Sequence, residues 1–408
     1  MVLAGITGVI GGLGTIAFNF LLNSSIEFVQ YLVTILPDPR LIFLIPALGG
    51  LANGILKYFT VPESFNSCCA TDACIEAVHE HKGEVKSRVP LVYMIAASLT
   101  IGSGGSSGRE CPTAFIGSGL GSIAYKIVKK LKLNRLFNFK LDQSDSRLMA
   151  TSGAASGLGA IFRAPFGSAL FSSEVLYTRG FEVGIIFPSI IAAVISYAIF
   201  STVYGFEPLY QAKANWNFTI GSLFFYLIIA LICTGVGVLY TLTFHRTFRL
   251  FHDAKIPNYV KPAIGGLLEG LLVLILPQVW GMGYDVIQNI IDFKLALGLM
   301  LVLIVGKTLA TSFTIGSGGS GGVIAPSLFV GALVGSSVGS IMTSLIPQFR
   351  GEPYIFAIIG MGAFFASVSK APISTSILLV ESTRNYSLLI PLLFANTMAY
   401  MVSGHITI

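Results

Sequence analysis

Apolar residues run almost without a break over 3–22, 223–242 and 295–309, and what interrupts them elsewhere is glycine, proline and short polar turns. Continuous runs of this kind predict membrane-spanning helices, because the strands of a spanning β-barrel alternate apolar and polar positions instead. The runs outnumber what simple spans need. Many are too short to cross ~30 Å of hydrocarbon upright, so several are expected to be half-spans or strongly tilted. Backbone broken at membrane depth is tolerated only inside protein or along a watery cavity. No basic segment precedes Leu3 and no small-residue cleavage site follows the first run, which therefore reads as a retained helix.

The breaks coincide with a repeat. Gly102-Ser-Gly-Gly-Ser-Ser-Gly-Arg-Glu-Cys-Pro112 returns as Gly316-Ser-Gly-Gly-Ser-Gly-Gly-Val-Ile-Ala-Pro326, identical at seven of eleven positions. Each copy is expected to open a new helix whose unpaired N–H groups face inward, a ready site for an anion. One copy carries Glu110 where the other carries Ile324, and a carboxylate at the mouth of an anion site suggests a gate. The duplication continues, since Ala164-Pro165 followed by Glu174 matches the spacing of Ala371-Pro372 followed by Glu381. One domain of 1–408 is expected: repeat 1 over about 1–204, a polar interruption at 205–217 placed outside, and repeat 2 over about 218–408. Duplicated transporters, often inverted, hold substrate near the bilayer midplane. Asn217-Phe-Thr219 is a formal but weak glycosylation sequon.

Composition narrows the class. With 54% hydrophobic and 11% charged residues and a mean hydropathy of +0.80, a soluble domain is excluded. A net charge of +6 is carried largely by the stretches 126–140 and 245–261, which the positive-inside bias places in the cytoplasm as solvated loops against anionic lipid. No cytoplasmic regulatory domain and no nucleic-acid partner are expected. The five cysteines fit neither a zinc pattern nor a disulfide framework, and the five histidines are scattered, so thiols without metal or cofactor are expected.

Two soluble-enzyme patterns pass through these glycines and fail on context. Gly316 to Gly321 spells GxGxxG, yet a long apolar helix precedes it and no acid follows ~20 residues on. Gly104-Gly-Ser106-Ser-Gly108 spells the hydrolase elbow, which needs a strand before it and a histidine beside it; His245 or His405 would have to serve an intramembrane serine hydrolase using Ser106 or Ser107. That reading leaves the second copy unexplained.

Gly108-Arg-Glu110-Cys-Pro112 together with Gly322-Val-Ile324-Ala-Pro326 resembles the CLC family of chloride channels and chloride/proton antiporters, whose motifs read G(K/R)EGP and GxFxP. The segment from Lys307 to Gly322 and the Ala164-Pro165…Glu174 helix extend the resemblance over nearly the whole chain. It implies an all-α integral membrane protein of two inverted repeats with broken, tilted helices, about eighteen in all, forming a homodimer in a prokaryotic cell membrane. The implied activity is transport of chloride or a similar anion, as channel or anion/proton antiporter, with a fluoride-selective exporter as alternative. Glu110 corresponds to the gating glutamate, unless it pairs with Arg109 or caps its helix. Amides of Gly108, Arg109, Glu110 and Cys111 and of Gly322, Val323, Ile324 and Ala325 would hold the anion, with Ile324 contributing backbone where the family has phenylalanine.

Other landmarks of the family depart here. Ungapped spacing puts Cys69 where the family's GSGIP motif carries serine, ahead of a short helix 74–79, and a thiol is a weak donor that also suits plain packing. The internal proton position reads Val175, with Glu174 just before it; family channels carry valine there. Glu174 also has Glu381 as repeat mate, which suggests a helix-end role. The pore tyrosine would fall beyond Ile408, with Tyr400 as a possible substitute or simply a helix-face aromatic.

Overall fold

The computed structural model describes residues 1–62, 69–132, 141–175, 183–212, 220–345 and 354–404. Among them stand sixteen α-helices and no strand. In chain order these are α1 (Val2–Ile35), α2 (Leu44–Thr60), α3 (Ala70–His79), α4 (Arg88–Gly102), α5 (Glu110–Lys130), α6 (Gln143–Phe162), α7 (Pro165–Glu174) and α8 (Val183–Tyr204), then α9 (Ser222–Asp253), α10 (Lys261–Ile275), α11 (Tyr284–Ile291), α12 (Leu297–Gly316), α13 (Ile324–Leu345), α14 (Tyr354–Ser369), α15 (Pro372–Thr383) and α16 (Leu389–Val402). The sequon and Cys68 and His405 lie outside the described residues.

Helix lengths bear out the mixture of spans and half-spans. Among the described residues, six helical segments are long and apolar enough to cross a membrane. The 34 residues of α1 and 32 of α9 reach ~50 Å, far more than the hydrocarbon is thick, and so must cross obliquely. The ten residues of α3 and α7 and twelve of α15 reach only ~15–18 Å and end inside the protein. The two Ala-Pro signatures mark two such ends. Arg163 closes α6 at φ 56°, Lys370 follows α14 at φ 59°, and a proline then opens α7 and α15 at its first position, where a missing N–H costs nothing.

Glycine lets the helix pairs of the two repeats touch. A methyl built on Gly117 of α5 would lie 2.2 Å from the Gly153 carbonyl of α6, and one on Gly331 of α13 would lie 2.5 Å from the Gly360 carbonyl of α14. Both contacts require backbone against backbone. The short helices are then cross-capped. Glu174, at the end of α7, accepts from the N–H groups of Ile373 and Ser374 at 3.3 and 2.8 Å, while Glu381 on α15 accepts from Phe166 and Gly167 at 3.3 and 2.7 Å. Each carboxylate satisfies the first turn of the other helix, where charge and unpaired donors favour it.

The basic stretches differ from the loops expected of them. Residues 126–130 complete α5 and 245–253 complete α9; positive side chains favour these helix ends through the dipole. The interruption at 205–217 is likewise no plain linker in its described part, because Leu209 and Tyr210 donate to the Ser382 carbonyl at 2.9 and 3.1 Å and Gln211 exchanges hydrogen bonds with Gln288 of α11 at 3.0 Å.

Candidate functional site

The two glycine motifs fold into the same turn and lie back to back. Gly104 and Gly318 take φ 98° and 103°, values open to glycine alone. Gly105 donates to Thr100 and Gly319 to Thr314, at 3.0 and 3.1 Å. The turns then exchange partners: Ser106 N–H donates to Thr314 Oγ1 and Ser320 N–H to Thr100 Oγ1, both at 3.1 Å. Gly108 and Gly322 close the pair by donating to each other's carbonyl at 2.7 and 2.9 Å. With their own donors so used, the turns leave the first amides of α5 and α13 facing one another.

A third helix start joins them. Cys69 is the residue ahead of α3, which begins at Ala70, four residues before the start expected from sequence. It is buried against Val323, Phe244 and Ile315, which sets it beside the second motif. Gly322 sits so close to Cys111 that a methyl there would lie 2.4 Å from its sulfur.

Glu110, first residue of α5, is 1% exposed. Its Oε1 accepts from the hydroxyl of Tyr284, whereas Oε2 has no hydrogen-bond partner. That oxygen lies over Gly108: a methyl there would be 2.2 Å from it and 3.1 Å from the Ala325 nitrogen. The carboxylate thus occupies the space between the two helix starts. Arg109 is directed elsewhere, donating from Nη1 to Asn19 Oδ1 at 2.8 Å and lying 5.1 Å from the Tyr284 ring centre. No hydrogen bond joins Arg109 to Glu110, although their charges are near enough to interact.

Hydroxyl donors surround this point. The buried hydroxyl of Ser107 finds no partner, and the Tyr240 hydroxyl on α9 lies beside those of Ser327 and Thr311. Hydroxyl groups beside two helix starts are donors from which a small anion can accept. Ser106 is different. Its hydroxyl is shared with Thr311 at 3.1 Å, with no strand before it, which leaves the hydrolase elbow without its context. Tyr400 is exposed on α16.

Sequence reasoning missed the groups that position Tyr284. Lys307, wholly buried on α12, donates to the carbonyls of Val279 and Gly281 at 3.0 and 2.7 Å. Gly281 N–H donates to the Gly104 carbonyl at 2.7 Å, and Gly283, at φ 77°, starts α11 with Tyr284 as its first residue. Tyr210 from the interruption lies tilted against Tyr284, with ring centres 6.2 Å apart. Lys307 was legible as an ionisable residue inside an apolar run, as was the buried Glu269 on α10, whose two oxygens have no partner. Nothing marked Tyr284.

On the other side of the motifs, Val175 lines a cavity of about 20 Å³ with Phe171, Cys74, Cys111 and Ile324. Thr71 and Ser172 also line it, and no carboxylate or imidazole is among its described lining residues. Glu174 lies outside it, held to α15.

Broken helices meeting head to head around a buried carboxylate and hydroxyl donors define a duplicated, helical membrane protein for small anions. The chain belongs to the voltage-gated chloride channel family, whose model matches residues 62–404. The H(+)/Cl(-) exchange transporter ClcA of Citrobacter koseri is 30% identical, over 96% of this chain and 82% of its own. Among solved structures, a slow cyanobacterial Cl-/H+ antiporter superposes with a TM-score of 0.85 at 22% identity, covering 99% of this chain and 93% of the other. A CLC-type fluoride/proton antiporter gives 0.80 at 22%, covering 100% and 95%. The protein is a multi-pass membrane protein of CLC fold.

Proposed function

We propose that the protein passes chloride, or a similar small anion, through a pore gated by Glu110, and that the carboxylate competes with the anion for the space between the starts of α5 and α13. The position of Glu110 Oε2, unpartnered beside Gly108 and the Ala325 nitrogen, carries this reading. The Gly108 and Gly322 amides donate to each other's carbonyls, so those of Arg109 to Cys111 and of Val323 to Ala325, with the hydroxyls of Ser107, Ser327 and Tyr240, supply donors to a dehydrated anion without a fixed ammonium that would hold it too long. Cys69 packs the inner approach. Protonation of Glu110 removes its charge, frees the site, and so opens the pore as pH falls.

The chain is read as one domain of two inverted repeats, about 1–204 and 218–408, forming a homodimer in a prokaryotic cell membrane with 126–140 and 245–261 inside. Tyr284, Arg109 and the 205–212 segment then cover the external mouth.

Conduction without proton coupling is the mode favoured by the cavity at Val175. A proton passing there would need a titratable side chain in place of Val175 or a chain of ordered waters, and a space of about 20 Å³ holds about one water. The name of the exchange-transporter relative favours the second reading, anion/proton exchange by another internal route. Reversal potentials of reconstituted protein under opposed chloride and proton gradients separate them: a potential set by chloride alone supports conduction, and proton uptake driven by chloride overturns it. Parallel flux of fluoride and chloride tests the anion.

A further inference from the structure

Outside Glu110, a strap of chain brings a second set of donors to the pore. Residues 204–212 leave the end of α8 through Gly205 at φ 78°, and the guanidinium groups that follow α6 and α15 hold them down. Arg163 donates to the Tyr204 carbonyl at 2.8 Å and to that of Glu207, and Arg384 donates to that of Phe206. The strap carries Tyr210 inward until it is only 1% exposed. Its hydroxyl has no hydrogen-bond partner and lies within electrostatic reach of Glu110 and Arg109. Arg109 likewise keeps its Nε enclosed and unpartnered, since Asn19 takes Nη1 at 2.8 Å and the guanidinium lies over the Tyr284 ring.

We propose that the Arg109 guanidinium and the Tyr210 hydroxyl form an outer site for a small monovalent anion, in front of Glu110 and distinct from the site between the helix starts. The proposal rests on Glu110 as the group that holds the inner position. Asn19 and Tyr284 each take one of the two charged groups, and no hydrogen bond joins the guanidinium to the carboxylate, so both act on a third ion. An anion in contact with Arg109 is nearer to that charge than to Glu110, and attraction outweighs repulsion. The surrounding charges reinforce it. Arg163 feels both Arg109 and Arg384, against Glu207 on the strap, while Glu207 and Asp285 of α11 are exposed to solvent. A guanidinium offers donors only, and a phenolic hydroxyl can turn its proton toward an acceptor, which suits an anion and excludes a cation. Because these donors are buried, the ligand sheds most of its water, at a cost that rises with its charge; a halide therefore fits and sulfate does not. An anion held there is in place to enter when Glu110 withdraws.

Bromide is the probe, and its binding is read without any measurement of flux. Crystals grown at about pH 8.5, well above the usual carboxylate range, are soaked in bromide and examined by anomalous scattering. The unmodified protein is expected to show bromide against Tyr210 Oη and Arg109 Nε, and Glu110→Gln to show that peak together with one between the helix starts. In detergent, isothermal titration of the unmodified protein is expected to give a bromide affinity that falls about tenfold in Tyr210→Phe. Glu110→Gln combined with Tyr210→Phe is expected to keep the inner peak and lose the outer one, a result that shows the ring change leaves the fold intact. An outer peak without an inner one in Glu110→Gln upholds this site and refutes the one between the helix starts. The proposal is overturned by absence of bromide at Tyr210 from both proteins, by unchanged affinity in Tyr210→Phe, by displacement of bromide with equimolar sulfate, or by the Glu110 carboxylate itself seated on Tyr210 and Arg109.

Discussion

The two glycine motifs share a backbone and diverge in their side chains. Gly104 and Gly318 have nearly the same φ, and the Thr100–Ser320 and Thr314–Ser106 hydrogen bonds are equal in length. At the next turn the likeness ends: Glu110 is met by Tyr284, while Ile324 in the same position of α13 packs into apolar surroundings. Seven identical residues build a scaffold that must be made twice, because each turn satisfies the other. The differing residues carry the reading of function.

The largest expected effect comes from erasing that difference. Glu110→Gln keeps the shape and removes the charge, so anion flux persists while its rise on acidification disappears; a flux assay from pH 4.5 to 7.5 reads this directly, and unchanged pH dependence refutes the gate. Next come the reciprocal caps. Glu174→Gln and Glu381→Gln each replace a charged acceptor by a neutral one at a helix start, and each is expected to cost about 1–2 kcal/mol in thermal unfolding in detergent. If Glu174 instead relayed protons, its variant would change coupling and leave stability near that of the parent.

Tyr284→Phe is expected to act more gently. Losing a donor disfavours the ionised carboxylate, so protonation takes place at higher pH, and the half-point of acid activation moves up by about one unit. A downward or absent shift would remove Tyr284 from the gate. Ile324→Phe should change anion affinity less than about threefold, as measured by isothermal titration with bromide, since its part is assigned to the backbone N–H. A larger change would mean that the second motif contributes side chain as well as scaffold.

Legibility followed the length of each signal. Long apolar runs, the duplicated glycines and the two Ala-Pro breaks each obey a local rule, and the helical membrane fold, the half-helices and the burial of Glu110 could be read from them. Cys69 came from the spacing of a family motif; it packs beside Val323, and α3 begins earlier than expected. The interruption at 205–217 gave no sign that its first residues would cover α11, because a polar stretch of that length has no periodicity to read.

What the sequence determined by itself is therefore the helical architecture: period and composition dictate helices in lipid, and paired glycines dictate where they break. The tertiary structure decided what its centre touches. Tyr284 reaches Glu110 across 174 positions of chain, Glu174 caps α15 across 200, and Lys307 ties down the loop between them through two carbonyls. A contact between distant residues leaves no pattern in either local stretch, and only the packing of the two repeats brings such pairs within the reach of a hydrogen bond.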